Sequence, residues 1–414
     1  MTTDTMLPGI DRPAEAVSFE PTREAGLVRL DRFVARAGRH YASQRNYDFG
    51  PERRENVSAL SPWIRHRLIT EEEVLRATLA RHAPSSAEKF IQEVFWRTYF
   101  KGWLEQRPSV WAAYQDGLAH ALEVLEKDRA LAIDYKDAVA GQTGIDGFDQ
   151  WAGELVETGY LHNHARMWFA SIWIFTLRLP WELGADFFLR HLMDGDPASN
   201  TLSWRWVAGL HTKGKTYQAR VSNISKYTEG RFRPEYQLSN TAEPLVEERD
   251  HPKVPIPLAD PIPEGDFVLL VTEEEGRFED LLPRLPAATL GLLAIEGRSP
   301  LAIGDMAQGF ARGALTDALS RFGGDQPHEA EDWAEPIITA AEKTGVTSFV
   351  TAYAPVGPVR QRLEDARNAL ASAGLTLHQI RRDYDDLAWP HATKGFFALK
   401  QKIPQVLRGL GLAG

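Results

Sequence analysis

A proline-rich stretch divides this 414-residue chain into two parts of different composition. Residues 241–266 contain six prolines in 26 positions. Proline fixes φ and removes a backbone donor, so we expect an extended linker here. Ten of the twelve tryptophans lie before residue 210. Since each part is long enough to bury its own core, we predict a first domain at 1–240, a linker at 241–265 and a second domain at 266–414.

The two parts also differ in hydrophobic periodicity. The first part reads as successive amphipathic helices, such as the run at 86–103, without strand-like alternation. In the second part, helical patterns separate short apolar runs that are candidate strands, at 267–272, 289–295, 346–352 and 375–381. This alternation is typical of a parallel sheet with helices on both faces. The predicted fold is therefore an all-helical domain followed by a Rossmann-like parallel α/β domain.

The composition excludes several classes of protein. The chain has no cysteine, so it has no disulfide framework, no thiolate nucleophile and no cysteine-ligated zinc or iron–sulfur cluster. No apolar run approaches the length of a membrane span and the N-terminus lacks a signal-peptide pattern, so we expect a cytoplasmic protein. A net charge of −10 argues against a protein that coats nucleic acid without specificity.

One stretch of the chain has the opposite charge. Residues 201–233 carry seven basic residues against the single acidic Glu229. The basic residues are Arg205, Lys213, Lys215, Arg220, Lys226, Arg231 and Arg233. Such a cluster is either a solvated face or a groove for an anionic partner.

Two segments of the first part suggest a polar ligand site. Ser58 and Ser61 precede Pro62, which suits the first turn of a helix, so the segment is either an ordinary N-cap or an anion site with free amides. Glu93 and Arg97 share one helix face with an indole, Trp96, because they are spaced i, i+3 and i+4. This group is either a surface ion pair packed on an aromatic ring or the wall of a pocket for a flat ligand.

Two further segments contain potential metal ligands. His162 and His164 flank Asn163, but no second cluster with ligand spacing accompanies them, so we predict no metal. Asp194 and Asp196 flank a glycine, without the spacing of a calcium loop. These carboxylates are expected to pair with Arg166 or to accept hydrogen bonds from a ligand. The nucleotide fingerprints G-x-G-x-x-G and Walker A are both absent, so a nucleotide cofactor would be held in another way.

Taken in order, the motifs resemble the FAD-binding helical domain of the DNA photolyase and cryptochrome family. They are S-x-L-S-P, E-x-x-W-R, T-G with H-N-x-x-R-M, and D-G-D followed by N and W-x-W, between about Tyr41 and Phe232. The resemblance implies a U-folded FAD buried among helices. Arg166 and Asp194 would form an ion pair beside the flavin ring, Asp196 would accept from the ring, and Asn200 would face N5. The positions implied for FAD are Tyr41, Ser58, Ala59, Leu60, Ser61, Arg97, Asn163, Arg166, Asp194, Asp196 and Asn200.

The resemblance also implies a DNA substrate. The positions that contact a flipped cyclobutane pyrimidine dimer in this family are Glu93, Trp96, Asn163, Met167 and Trp206. Family members that repair the 6–4 photoproduct carry paired histidines where this chain has Asn163. Arg45, Arg97 and Arg220 fall at positions suited to DNA phosphates.

The electron-transfer chain of the family is only partly matched. Trp204 and Trp181 match its inner and middle tryptophans, whereas the outer one has no match near Asp128. Trp151, Trp168, Trp173 or a tyrosine are candidates to replace the outer tryptophan, although core packing also explains these large aromatics.

The second domain resembles the family's α/β antenna domain in an unusual place. Residues 345–399 resemble the later half of that domain, and 267–272 resemble its first strand. Because the antenna domain normally precedes the helical one, we predict a circularly permuted member of the family. The sequence does not decide whether this domain binds an antenna chromophore.

The family resemblance implies light-driven repair of cyclobutane pyrimidine dimers by electron transfer from reduced FAD, which is a carbon–carbon lyase reaction. The expected partner is damaged DNA and not a membrane. The alternative is a cryptochrome-like blue-light sensor that acts through a protein partner. The missing outer tryptophan, the acidic charge and His164, where many photolyases carry a basic residue, motivate this alternative. A third reading is an FAD-binding relic with neither activity.

Overall fold

A computed structural model describes residues 17–412 of the chain. Between residues 17 and 240 the regular structure is entirely helical, as predicted. The α-helices are α1 (Arg23–Val34), α2 (Arg39–Gln44), α3 (Ser61–Arg65), α4 (Glu71–Arg81), α5 (Glu88–Glu105), α6 (Ser109–Lys127), α7 (Arg129–Ala140), α8 (Phe148–Thr158), α9 (Asn163–Ser171), α10 (Trp181–His191), α11 (Pro197–Val207) and α12 (Val221–Tyr227). A π-helical turn, Ile172–Thr176, extends α9.

The linker is followed by a four-stranded parallel sheet. Residues 241–265, all of which the structure describes, form neither helix nor strand. The strands are β1 (Val268–Thr272), β2 (Ala288–Leu292), β3 (Ser348–Ala352) and β4 (Thr376–Ile380). Their order is β2-β1-β3-β4, and every neighbouring pair is parallel. The four predicted apolar runs therefore become the four strands.

Helices cover both faces of this sheet. They are α13 (Asp305–Phe322) on one face, and α14 (Ala334–Thr344) and α15 (Pro358–Ser372) on the other. Three further helices follow β4, namely α16 (Asp383–Ala388), α17 (Phe396–Lys400) and α18 (Ile403–Gly409). Along β1, Leu269 and Val271 pack with α13, whereas Val268 and Leu270 pack with α14 and α15. Since both faces of β1 are buried, its sequence is continuously apolar rather than alternating.

The C-terminal helices share a hydrophobic core with the helical part. Tyr384, Phe396 and Leu399, from α16 and α17, are buried in the same cluster as Phe95 and Tyr99 of α5. Helix α5 therefore has the α/β part on one side and the remaining helices on the other. None of the helices within residues 17–412 combines the length and the apolar character that a membrane crossing requires.

Candidate functional site

Two adjoining cavities lie between α2, α5, α9 and α11 in the helical part. The smaller one, of about 220 Å³, is bordered by α2 and residues 57–61. The larger one, of about 490 Å³, is bordered by α11 and by a loop at 192–196 that we call the acidic loop. Arg97 and Asp194 line both cavities, which joins them into one site. The larger cavity alone falls within the range of small-molecule sites.

The eleven positions predicted for FAD all lie on these two linings. Tyr41 and residues 58–61 line the smaller cavity, and Asp196 and Asn200 line the larger one. The four remaining residues line both cavities, namely Arg97, Asn163, Arg166 and Asp194. The structure therefore brings together residues that are as far as 159 positions apart in the chain.

The turn at 58–61 is held from behind by a partly buried arginine, Arg29. Arg29 Nε donates to Ser58 O at 2.7 Å, and its Nη2 donates to Val57 O at 2.9 Å. Burial lowers the pKa of Arg29 to about 10. Ala59 lies in the left-handed region with φ 52°, which fits the sharp turn into α3. Sequence reasoning missed Arg29, which lies on α1, outside the motifs.

The predicted ion pair between Arg166 and Asp194 is present, with Nη2 and Oδ2 2.9 Å apart. Asp194 is buried, and its second oxygen, Oδ1, has no hydrogen-bond partner within the described residues. Asn46 Oδ1 and Ser199 Oγ, also on the linings, are likewise buried without a partner in residues 17–412. Because buried polar atoms are normally hydrogen-bonded, these three atoms suit a bound polar ligand.

Asp196 is held mainly by protein groups. Its Oδ1 accepts from Ser199 N at 2.7 Å and so caps α11, and its Oδ2 accepts from Arg97 Nη2 at 3.3 Å. Lys101 Nζ lies 3.6 Å from the same oxygen. Burial opposes ionisation of this carboxyl, but Arg97, Lys101 and Arg65 outweigh burial and hold the pKa of Asp196 well below its usual range. The sequence motifs did not include Lys101, although its i+4 spacing from Arg97 places both residues on the same face of α5.

The Asn200 side chain is fixed at the edge of the larger cavity. Its Nδ2 donates to Ala185 O at 2.7 Å, and its backbone N donates to Asp196 O at 2.9 Å. Asn200 is buried. Its orientation is thus set by α10 and by the cap of its own helix.

The five positions predicted for the dimer all line the larger cavity. They are Glu93, Trp96, Asn163, Met167 and Trp206. Trp96 is half-buried and stacks on Phe396 of α17, with ring centroids 3.8 Å apart and planes 10° apart. Trp206 is backed in the same way by Tyr217, with centroids 5.6 Å apart. Each indole therefore has one face covered by another ring.

Glu93 forms an ion pair with Arg45 where the two cavities meet. Burial raises the pKa of Glu93, and the neighbouring Arg45 only partly opposes that shift. A larger share of this carboxyl is therefore protonated near neutral pH than for an exposed glutamate.

The tryptophans considered for electron transfer lie in different surroundings. Trp204 is buried and lines the larger cavity, and its ring centroid lies 6.2 Å from that of Trp173. Trp181 lies outside both linings, with Tyr114 as a ring neighbour at 5.8 Å. Trp151 and Trp168 are fully buried and stack on each other. Trp151 and Trp168 therefore belong to the packed core.

The predicted DNA-contacting arginines lie in different surroundings. Arg45 is half-buried where the cavities meet, and Arg220 is exposed outside them. Only 13% of the Arg97 side chain is exposed, and it is bonded to Asp196. Arg97 therefore faces the cavities rather than an open surface.

The basic stretch at 201–233 does not form a single cationic face. Arg205 is buried and makes two hydrogen bonds to Glu247 of the linker. Arg231 lies 3.2 Å from the Asp48 carboxylate. The lysines of the stretch are exposed.

His164 lines both cavities, and His162 caps the same helix, α9. Burial lowers the pKa of His162 to about 4 and that of His164 to about 3, so both rings are neutral at pH 7. His162 accepts from His164 N at the start of α9. Among residues 17–412, no group of three or more histidines and carboxylates is arranged to hold a metal ion.

Comparison with known proteins gives the following matches. Residues 90–236 match the family described as the FAD binding domain of DNA photolyase. The deoxyribodipyrimidine photo-lyase of Synechococcus sp. is 33% identical over 199 residues, which cover 46% of this chain and 39% of that protein. An enzyme of the same name from Thermus thermophilus is 30% identical over 256 residues, or 58% of this chain and 56% of that protein. A bacterial class III photolyase from Agrobacterium tumefaciens aligns with a TM-score of 0.43 at 28% identity, over 50% of this chain and 43% of that one. In each case the match spans less than two thirds of the relative's length.

Proposed function

Because the helical part of this chain belongs to the FAD-binding domains of the DNA photolyase family, we propose that the protein repairs cyclobutane pyrimidine dimers in DNA with light. FAD is the cofactor of this family's domain, and the proposal places it across the two adjoining cavities. The observation that carries the proposal is that all five dimer positions line the larger cavity, beside the positions assigned to FAD.

The residues present fit the cofactor. Asn46, Asp194 and Ser199 offer buried polar atoms without partners in the described chain, and the Arg166 guanidinium compensates the Asp194 charge. When bound, FAD supplies the light absorption and the electron transfer, whereas the protein supplies position and charge.

The dimer would be held by stacking and by edge contacts. A damaged pair of bases is poorly stacked, so extruding it from the duplex costs less than extruding an intact pair. The free faces of Trp96 and Trp206 would enclose the bases. The Glu93 carboxyl and the Asn163 amide, which can both donate and accept, would bond to the base edges.

The test is illumination of the FAD-reduced full chain with an oligonucleotide that contains one thymine dimer. We expect the dimer to be lost in the light and retained in the dark. Glu93→Ala should slow repair, whereas Glu123→Ala, an exposed change on α6, should not. Retention of the dimer under light by a reduced, FAD-loaded wild-type protein would contradict the proposal.

One observation favours a second candidate, a flavin light sensor that acts through a protein partner. Arg205, Arg231 and Arg233 are paired with carboxylates, which weakens the positive field available to DNA. Affinity for dimer-containing and intact DNA at several salt concentrations separates the candidates, because phosphate contacts give a steep salt dependence. Equal affinity for both DNAs would favour the sensor.

We also propose that the α/β part corresponds to the family's antenna domain, moved to the C-terminus. Its parallel sheet with helices on both faces supports this correspondence, and the extended linker allows the changed order. An additional near-ultraviolet absorption band in the purified protein would reveal a second chromophore.

A further inference from the structure

The sheet has a topological switch point at its centre. β1 and β3 are neighbours, and the chain continues from them to β2 on one side and β4 on the other. In open α/β sheets, ligands bind in the crevice outside the carboxyl ends of the two strands at such a point. In this protein the crevice is filled by helix α5 and its neighbours.

Glu105, at the end of α5, occupies the place of an anionic ligand beyond β3. Its carboxylate accepts from Val356 N at 2.7 Å, from the Tyr353 hydroxyl at 2.7 Å and from Arg360 Nη2 at 2.5 Å. Only 1% of the Glu105 side chain is exposed. A backbone N–H, a hydroxyl and a guanidinium are the donors that a phosphate would use, and here a carboxylate from the helical part receives all three.

At the end of β1 the charges are reversed, because here the α/β part supplies the carboxylate and the helical part supplies the cations. Glu274 follows this strand, and its carboxylate lies 2.7 Å from Arg65 Nη2 and 3.4 Å from Lys101 Nζ. All three side chains are at most 5% exposed. Charges this deeply buried persist only when paired, so these contacts are specific to the joined domains.

Arg65 and a second buried arginine, Arg298, also bond to the acidic loop. Arg65 Nε donates to Gly195 O at 3.0 Å, and Arg298 Nη1 donates to Leu192 O at 3.4 Å. Gly195 leaves no room for a side chain, since an added Cβ would lie 2.6 Å from Leu189 O and 3.0 Å from Arg298 Nη1. The acidic loop is therefore fixed from the side facing away from the cavity.

We propose that the switch-point crevice of the α/β part is a clamp that holds the acidic loop and sets the charge beside the flavin. Lys101 and Glu274 are the positioning residues of this clamp, since Lys101 lies between Glu274 and the cavity-lining Asp196. The inference rests on the proposed flavin site. The carboxyl edge of the sheet would then bind the helical part of the chain rather than a nucleotide.

The test compares the FAD midpoint potential of the full-length wild type with those of Lys101→Met and Glu274→Gln. Reduction adds negative charge to the flavin, so loss of the Lys101 cation should lower the potential and loss of the Glu274 anion should raise it. A merely structural role would not move the potential in opposite directions. The matched control is Glu105→Gln, because Glu105 lies in the same crevice but its carboxylate is bonded to Tyr353, Val356 and Arg360 rather than to Lys101 or Arg65. Its potential should equal that of wild type.

A further variant covers the case in which a single variant does not fold. Arg298 is a buried cation whose Nε and Nη2 have no hydrogen-bond partner within the described residues, so Arg298→Met should be tolerated. Its potential should fall like that of Lys101→Met. Unchanged potentials in FAD-loaded variants, or shifts of the same sign in Lys101→Met and Glu274→Gln, would overturn the clamp alone. A wild type that takes up no FAD would instead defeat the proposed function and the clamp with it.

Discussion

Replacing Trp96 by alanine removes the wall of the larger cavity on which a flipped base would stack. Phe396 covers one face of this indole at 3.8 Å between centroids, so a single face is left for a base. Stacking on an aromatic side chain is worth about 1–3 kcal/mol per base. Trp96→Ala should therefore weaken the binding of dimer-containing DNA about 5- to 150-fold, since about 1.4 kcal/mol corresponds to a factor of ten.

Fluorescence anisotropy with dimer-containing and intact oligonucleotides measures this effect in the FAD-loaded protein. The slope of log Kd against log salt should not change, because the substitution removes no charge. Trp103→Ala is the matched control, since Trp103 is a half-buried indole on the same helix outside both cavities. The stacking argument is refuted if both variants weaken binding equally, or if Trp96→Ala affects intact DNA as much as dimer DNA.

Four further substitutions test charge, packing and pH dependence. Arg45→Ala should reduce the salt slope of DNA binding by about 1 if this arginine contacts a phosphate, and an unchanged slope would limit its role to the Glu93 pair. Gly184→Ala places a Cβ 2.3 Å from the ring of Trp204, so overpacking should cost about 1–3 kcal/mol in denaturant unfolding. Asp196→Asn breaks a buried pair at a cost of about 3–5 kcal/mol at neutral pH. The pKa of Asp196 is lowered in the folded protein. The loss of stability in Asp196→Asn should therefore become smaller as the pH falls below 3.8, the ordinary pKa of an aspartate. Burial raises the pKa of Asp186, so the deficit of Asp186→Asn should grow as the pH falls.

Local patterns predicted the helices and strands, and helical spacing placed some of the candidate site residues on one face. The run at 267–272 became β1 (Val268–Thr272), because a strand buried on both faces is marked by its own apolar residues. Glu93, Trp96 and Arg97 line the larger cavity together because helical spacing alone places them on one face. In both cases the information lies within a few residues of sequence.

Contacts between distant segments could not be predicted in this way. Phe396 stacks on Trp96 from 300 positions away, and no local spacing links the two residues. Arg205 counted toward a basic face, yet it is buried against Glu247 of the linker. Charge counted along the chain does not reveal which side chains meet a partner, because that depends on packing between elements.

The buried charges connect the two parts of the chain at the proposed flavin site. The acidic loop places Asp194 and Asp196 beside a cavity, and their negative charge is compensated by Arg166, Arg97 and Lys101. Lys101 is shared with Glu274, which lies beyond β1 in the other part of the chain. Without the α/β part, Lys101 would lose one carboxylate and the α5 face that packs on Phe396 would be exposed. The charge at the cavity is therefore a property of the joined domains, although the residues lining it all come from the helical part.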